Sequence, residues 1–142
     1  MPFRFAAAAF ATTLAACGPA PAPADATPRL PHNPYAGNAA AMAAGAQLYA
    51  TRSCAACHGV DGNGGMGPSL RNDTWIYGND DALLFELVRS GSVAFRARGH
   101  ARLAQEAQRG DMPPLAGAVD EDELWKILAW LKHRDLSMEP AP

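Results

Sequence analysis

The sequence predicts an all-α fold, and three observations carry that prediction. No run of residues alternates apolar and polar side chains with the period of a strand. Leu124, Ile127, Leu128 and Leu131 recur at i, i+3, i+4 and i+7, the spacing of one helix face. Short polar side chains suited to capping, Asn38 and Asp120, head two of the helix-compatible segments.

The first predicted helix spans 38–52, with Met42, Gly45, Ala46 and Tyr49 on one face. Gly45 is odd there, because a mid-helix glycine costs about 1 kcal/mol against alanine unless another helix crosses closely. The second spans 80–90. Its stripe is Leu83, Leu84, Leu87 and Val88, and Gly91 is the expected stop. The last begins at Asp120, with Glu123 three residues on as in a capping box. Lys132, His133 and Arg134 suit its negative end, so His133 reads as a helix-end cation rather than a ligand. Between the first two helices, 59–67 holds five glycines and reads as loop, able to bring backbone close to a bound group.

The domain limits follow from composition. Residues 1–16 carry one charge, Arg4, then an apolar run ending Leu14-Ala15-Ala16 before Cys17, the layout of a signal peptide. Leu-Ala-Ala-Cys resembles a bacterial lipobox, in which Cys17 is acylated and becomes the first residue; ordinary cleavage nearby is the alternative. Residues 17–37 are rich in proline and alanine and read as an extended tether, rising about 3.1 Å per residue. His32, within it, is expected to be solvated. The folded domain is expected over 38–136, with a flexible tail at 137–142. Periplasmic, lipid-anchored placement follows from this reading. The net charge of −2, one unit more negative once Arg4 is gone, offers nothing to nucleic acid.

The chemistry lies in Cys54-Ala55-Ala56-Cys57-His58. Two thiols one turn apart can add to the two vinyl groups of a porphyrin edge. The histidine directly after them is then held under the iron as a ligand. Covalent haem c is therefore expected at Cys54 and Cys57, with His58 on the metal. A zinc site is disfavoured because only Cys17 remains as a further sulfur ligand. A redox dithiol would sit in a βαβ pattern, which is missing. Three short helices alone bury little apolar surface, so a haem among them would complete the core. Leu70, Trp75 and Ile76 would then wall the cofactor as well as pack together.

Cys54 to His58, Gly67-Pro68-Ser69-Leu70, Gly110-Asp111-Met112-Pro113-Pro114 and an amphipathic last helix together resemble the class I monohaem cytochromes c, over roughly Ala39 to Arg134. The resemblance implies a cytochrome c fold, with three to five short helices wrapped around one covalent haem. It implies His58 and Met112 as axial iron ligands, and a Pro68 carbonyl orienting His58. It also implies that Trp75 or Tyr77 bonds a haem propionate, and that Gly45, Tyr49 and Trp130 meet where the first and last helices cross. Trp75-Ile76-Tyr77-Gly78, followed by Leu84-Phe85-Glu86, is similar to cytochromes serving quinoprotein alcohol dehydrogenases. Haem domains of terminal-oxidase subunits read alike.

For the distal ligand, Met66 stands close to His58 in sequence, whereas Met112 lies 54 residues on in a loop stiffened by two prolines. His100 is the rival. It belongs to an unfamiliar stretch, 91–109, bearing Arg96, Arg98, Arg102 and Arg109 with only Glu106 opposing them. That stretch reads either as a solvated loop or short extra helix, Ala101 to Gln108, or as a docking patch for an acidic partner. The expected function is one-electron transfer without catalysis, from a donor such as a quinoprotein dehydrogenase to a terminal oxidase or another cytochrome. The alternatives are a haem subunit of a dehydrogenase or oxidase complex, and a gas-binding or peroxidatic haem protein.

Overall fold

The computed structural model describes Met1, residues 32–106 and residues 110–133. The expectations for the leader, for Cys17 and for the C-terminal tail lie outside the described residues. Four helices follow in order: α1 (Ala39–Thr51), α2 (Cys54–His58), α3 (Asp81–Ala97) and α4 (Glu121–His133). Among the described residues there is no strand. No helix there is long and apolar enough to cross a membrane.

Helix α1 starts where its cap predicts, with the Asn38 side chain accepting from the Ala41 N–H at 3.0 Å. Its buried face is Ala41, Gly45 and Tyr49, with Met42 and Ala46 only half-buried, one position round from the expected stripe. Gly45 explains itself through α4. A Cβ there would lie 2.0 Å from the Lys126 carbonyl oxygen, so the two backbones touch at this crossing. Next to it Tyr49 packs against Trp130, with ring centroids 4.8 Å apart. The α4 cap is the reciprocal box the sequence suggests: Glu123 N–H to Asp120 Oδ1 at 2.7 Å, and Asp120 N–H to Glu123 Oε2 at 3.3 Å.

The main core joins Tyr49, Leu84, Val119, Leu124, Ile127 and Leu128, all buried. Cys54, Ala55, Leu70 and Trp75 pack against its edge. A second, smaller core holds Ile76, Tyr77 and the fully buried Phe95.

Three expectations are corrected. Gly91 does not stop α3. It breaks the helix with φ 76° and ψ 158°, after which the helix resumes to Ala97. Gly99, at φ 96°, lies just past the true end. Of the loop or short helix expected at Ala101–Gln108, the helix is missing over 101–106, because the N–H groups of Leu103 and Ala104 bond to Ile76 O at 2.7 and 3.3 Å instead of building a local ladder. The folded unit also begins before Asn38. Asn33 is 5% exposed, donates its N–H to Asp81 Oδ2 (3.0 Å) and its side-chain amide to Trp125 O (2.8 Å), so 33–37 is docked chain rather than tether. His32 is exposed, with Nδ1 3.9 Å from Asp81 Oδ2.

Candidate functional site

The Cys54-to-His58 motif forms a single helical turn, which the sequence reading did not assign. Cys54 and Cys57 fall three residues apart and His58 four from Cys54, so all three share one side of that turn. Left-handed residues bracket it: Ser53 (φ 67°), unusual for a residue with a Cβ, and Gly59 (φ 79°). Both thiols are free and half-buried. Burial pushes the Cys54 thiol above its ordinary pKa.

The glycine loop closes over the end of this turn. The Cys57 carbonyl accepts from Gly67 (3.0 Å), His58 from Gly64 (2.8 Å) and Gly59 from Gly62 (3.0 Å), satisfying the terminal carbonyls of a one-turn helix. Tyr49 reaches across from α1 to donate its hydroxyl to Gly59 O at 2.7 Å. His58 is buried, and its Nδ1 lies 2.9 Å from the Pro68 carbonyl oxygen. That contact fixes Nδ1–H as donor and leaves Nε2 with its lone pair for a metal. The cradle is tight: a Cβ at Gly67 would lie 2.7 Å from the imidazole ring.

Met112 is half-buried and sits on the break in α3. Ser92 donates its N–H to Met112 O (2.9 Å), and Met112 donates its N–H to Ser92 Oγ (3.0 Å). The rivals are placed otherwise. Met66 is 57% exposed in the glycine loop. His100 stacks on Phe95 with ring centroids 3.9 Å apart, and its Nε2 lies 3.6 Å from Glu86 Oε2.

Two arginines of 91–109, Arg96 and Arg98, pair with acids outside that stretch, so Glu106 is not their only opposing charge. Arg96 lies 2.8 Å from Asp111 and donates to the Tyr77 hydroxyl at 3.3 Å. Arg98 pairs with Glu86 at 2.8 Å. Hydrogen bonding to Asp111, then to Tyr77, holds the Arg96 guanidinium firmly charged. Arg96 and Ser92 in turn hold the Asp111 carboxyl below its usual range. The Tyr77 hydroxyl is thus engaged with Arg96; Trp75, the other expected propionate contact, is half-buried at the core edge.

The residues present fit a haem. One side offers two thiols and an oriented imidazole, and a separate loop offers a thioether. Half-buried Leu70 and Trp75 provide apolar wall. Val60, Met66 and Leu103 are large exposed apolar side chains without a protein lid. Among the described residues the Arg102 Nε and the Glu106 Oε2 are buried without a hydrogen-bond partner, and the former is a donor suited to an anionic cofactor edge. Sequence reasoning missed Ser92 and the inward role of Arg96. Their partners, Asp111 and Met112, lie fifteen to twenty residues on, beyond the reach of periodicity.

Sequence comparison decides the family. The family model for cytochrome c matches residues 42–135. The chain belongs to the cytochrome c family. A cytochrome c carrying this motif binds haem c covalently, so haem c is the cofactor. Among curated relatives, the cbb3-type cytochrome c oxidase subunit CcoP of Rubrivivax gelatinosus is 34% identical over 103 residues, 72% of this chain but 27% of that protein. Cytochrome c-L of Methylorubrum extorquens is 28% identical over 71% of this chain and 44% of its own length. The crystal structure of cytochrome cL from Hyphomicrobium denitrificans superposes with a TM-score of 0.52 at 30% identity, covering 70% of this chain and 51% of that one. This cytochrome thus spans from about a quarter to half of these relatives.

Proposed function

We propose that this cytochrome c is a one-electron carrier whose iron is held by His58 and Met112. The observation that carries the reading is the pairing of a backbone-oriented imidazole, His58 Nδ1 to Pro68 O at 2.9 Å, with a methionine loop tied to Ser92 of α3 by one backbone bond and one bond to its hydroxyl. Cys54 and Cys57 would hold the haem through thioether bonds. The haem, when bound, supplies a ferric–ferrous couple, and a thioether ligand raises its potential. The chain's own residues do the rest. His58 is kept in one tautomer, the glycine loop admits backbone close to it, and the Met112 loop would supply a second iron ligand and so exclude substrate. Leu70 and Trp75 keep water from the buried side. A filled coordination shell changes oxidation state with little rearrangement, which suits transfer and not catalysis.

The donor is read as a quinoprotein alcohol dehydrogenase, supported by the Trp75-to-Gly78 wording and the cytochrome cL likeness. The acceptor is read as a terminal oxidase or another cytochrome. The likeness to an oxidase subunit favours one second reading, a haem subunit of an oxidase complex. Cys17 is read as a lipid anchor on the strength of Leu14-Ala15-Ala16-Cys17, placing the protein at a periplasmic membrane face.

A redox titration of purified holoprotein with carbon monoxide tests the carrier reading. We expect one reversible one-electron couple and no carbonyl complex of the reduced form at neutral pH. Rapid stoichiometric carbon monoxide binding would point to gas-binding or peroxidatic chemistry instead.

A further inference from the structure

We propose that Ser92, Asp111 and Arg96 form a clamp that positions the Met112 thioether, and that the break in α3 at Gly91 exists to receive it. The inference rests on Met112 as the distal ligand and adds the residues that keep it there.

The backbone accounting is specific. In an unbroken helix the Val88 carbonyl would accept from Ser92 N–H and the Arg89 carbonyl from Val93 N–H. With Gly91 in the left-handed region, those carbonyls lose their helical donors. The methionine loop replaces what is lost. Val88 O accepts from Leu115 N–H at 3.1 Å, Arg89 O from Ala116 N–H at 3.3 Å, and Ser92 N–H turns to Met112 O at 2.9 Å. One loop thus donates to both of these carbonyls and accepts from the Ser92 N–H. The fit allows no side chain at the break, since a Cβ on Gly91 would lie 2.7 to 2.9 Å from Met112 O, Pro113 C and Pro114 N.

Side chains complete the clamp. The Ser92 hydroxyl, 4% exposed as a residue, accepts from Met112 N–H and donates to Asp111 Oδ1 at 2.9 Å. Arg96, one turn further along α3, binds the same Asp111 Oδ1 at 2.8 Å. It is steadied from below by Tyr77, itself packed edge-on to Phe95 with centroids 5.2 Å apart. The residue on each side of the methionine nitrogen is therefore tied to one rigid helix turn. A thioether is a weak ligand, so holding its backbone in place decides how often the sixth position opens.

The test uses ferric holoprotein titrated with imidazole, following the thioether-to-iron charge-transfer band and the potential. Ser92→Ala removes the hydroxyl and leaves the backbone bonds; we expect about tenfold tighter imidazole binding, a weaker band and a lower potential. Arg96→Ala is expected to act in the same direction and Arg96→Lys to recover most of the effect. Arg98→Ala, paired with Glu86 instead, is the control and is expected to match the parent. Imidazole affinity, band and potential all at parent values in Ser92→Ala and Arg96→Ala would overturn the clamp, provided Met112→Ala abolishes the band. A band that survives Met112→Ala would overturn the ligand reading itself, and the clamp with it. Melting temperatures of each variant separate the two roles: a residue that merely stabilises the fold lowers melting without altering the band.

Discussion

At Gly45 the fold turns on a single hydrogen atom. The Lys126 carbonyl oxygen occupies the space that a methyl group would need, and both atoms in conflict belong to helices that carry the core. Gly45→Ala gains helix propensity but forces α1 and α4 apart, and overpacking of this kind costs about 1–3 kcal/mol. A denaturant titration of holoprotein is expected to show that loss; a variant as stable as the parent would mean the crossing relaxes freely. At this scale the sequence was informative in one direction. An anomalous glycine announced a close approach, and only the family resemblance named the last helix as its partner; the CxxCH spacing announced a haem without showing the left-handed Ser53 that starts its turn. Ser53 carries no local signal, because its conformation is imposed by the docking of the turn between α1 and the glycine loop.

The elements divide by the range of the contacts that shape them. Helix α4 is legible because its cap, stripe and terminal charges are all local. Asp120→Ala, which removes the acceptor for the Glu123 N–H, should lower stability by about 1 kcal/mol in the same titration. An unchanged midpoint would mean that packing against α1 alone holds its first turn. Helix α3 is legible only to Gly91. A glycine inside a helical pattern reads locally as an end, and it acts as a break here because loop 112–116 supplies the missing backbone partners. The arginines beyond it read as free surface for the same reason. Asp111, the partner of Arg96, lies fifteen residues away, and Glu86, the partner of Arg98, lies twelve residues back.

For the whole molecule, the docked N-terminal chain and the C-terminal helix are joined through Asp81. Its carboxyl accepts from the Asn33 N–H and from Lys132 Nζ. Burial alone raises its pKa, but the Lys132 ammonium and the Asn33 N–H more than offset this and hold it below the ordinary 3.8. A depressed folded value means the stabilisation is complete above the unfolded value near 3.8 and is lost as pH falls through the folded one. Asp81→Asn should therefore cost about 1–3 kcal/mol at neutral pH and show a flatter loss of stability below pH of about 4. Parallel pH curves for parent and variant would contradict the linkage. The haem reading also belongs to this scale, since half-buried Leu70 and Trp75 stand at the edge of the main core, which a cofactor would complete. Its central claim is that Met112 and His58 hold the iron of a carrier. The most direct measurement is a proton NMR spectrum of the reduced holoprotein, in which a methionine bound over the haem face has its methyl resonance shifted far upfield by the ring current. The parent is expected to show one such three-proton resonance and Met112→Ala none. A parent spectrum without it, or one that keeps it after Met112 is removed, would rule out Met112 as the iron ligand.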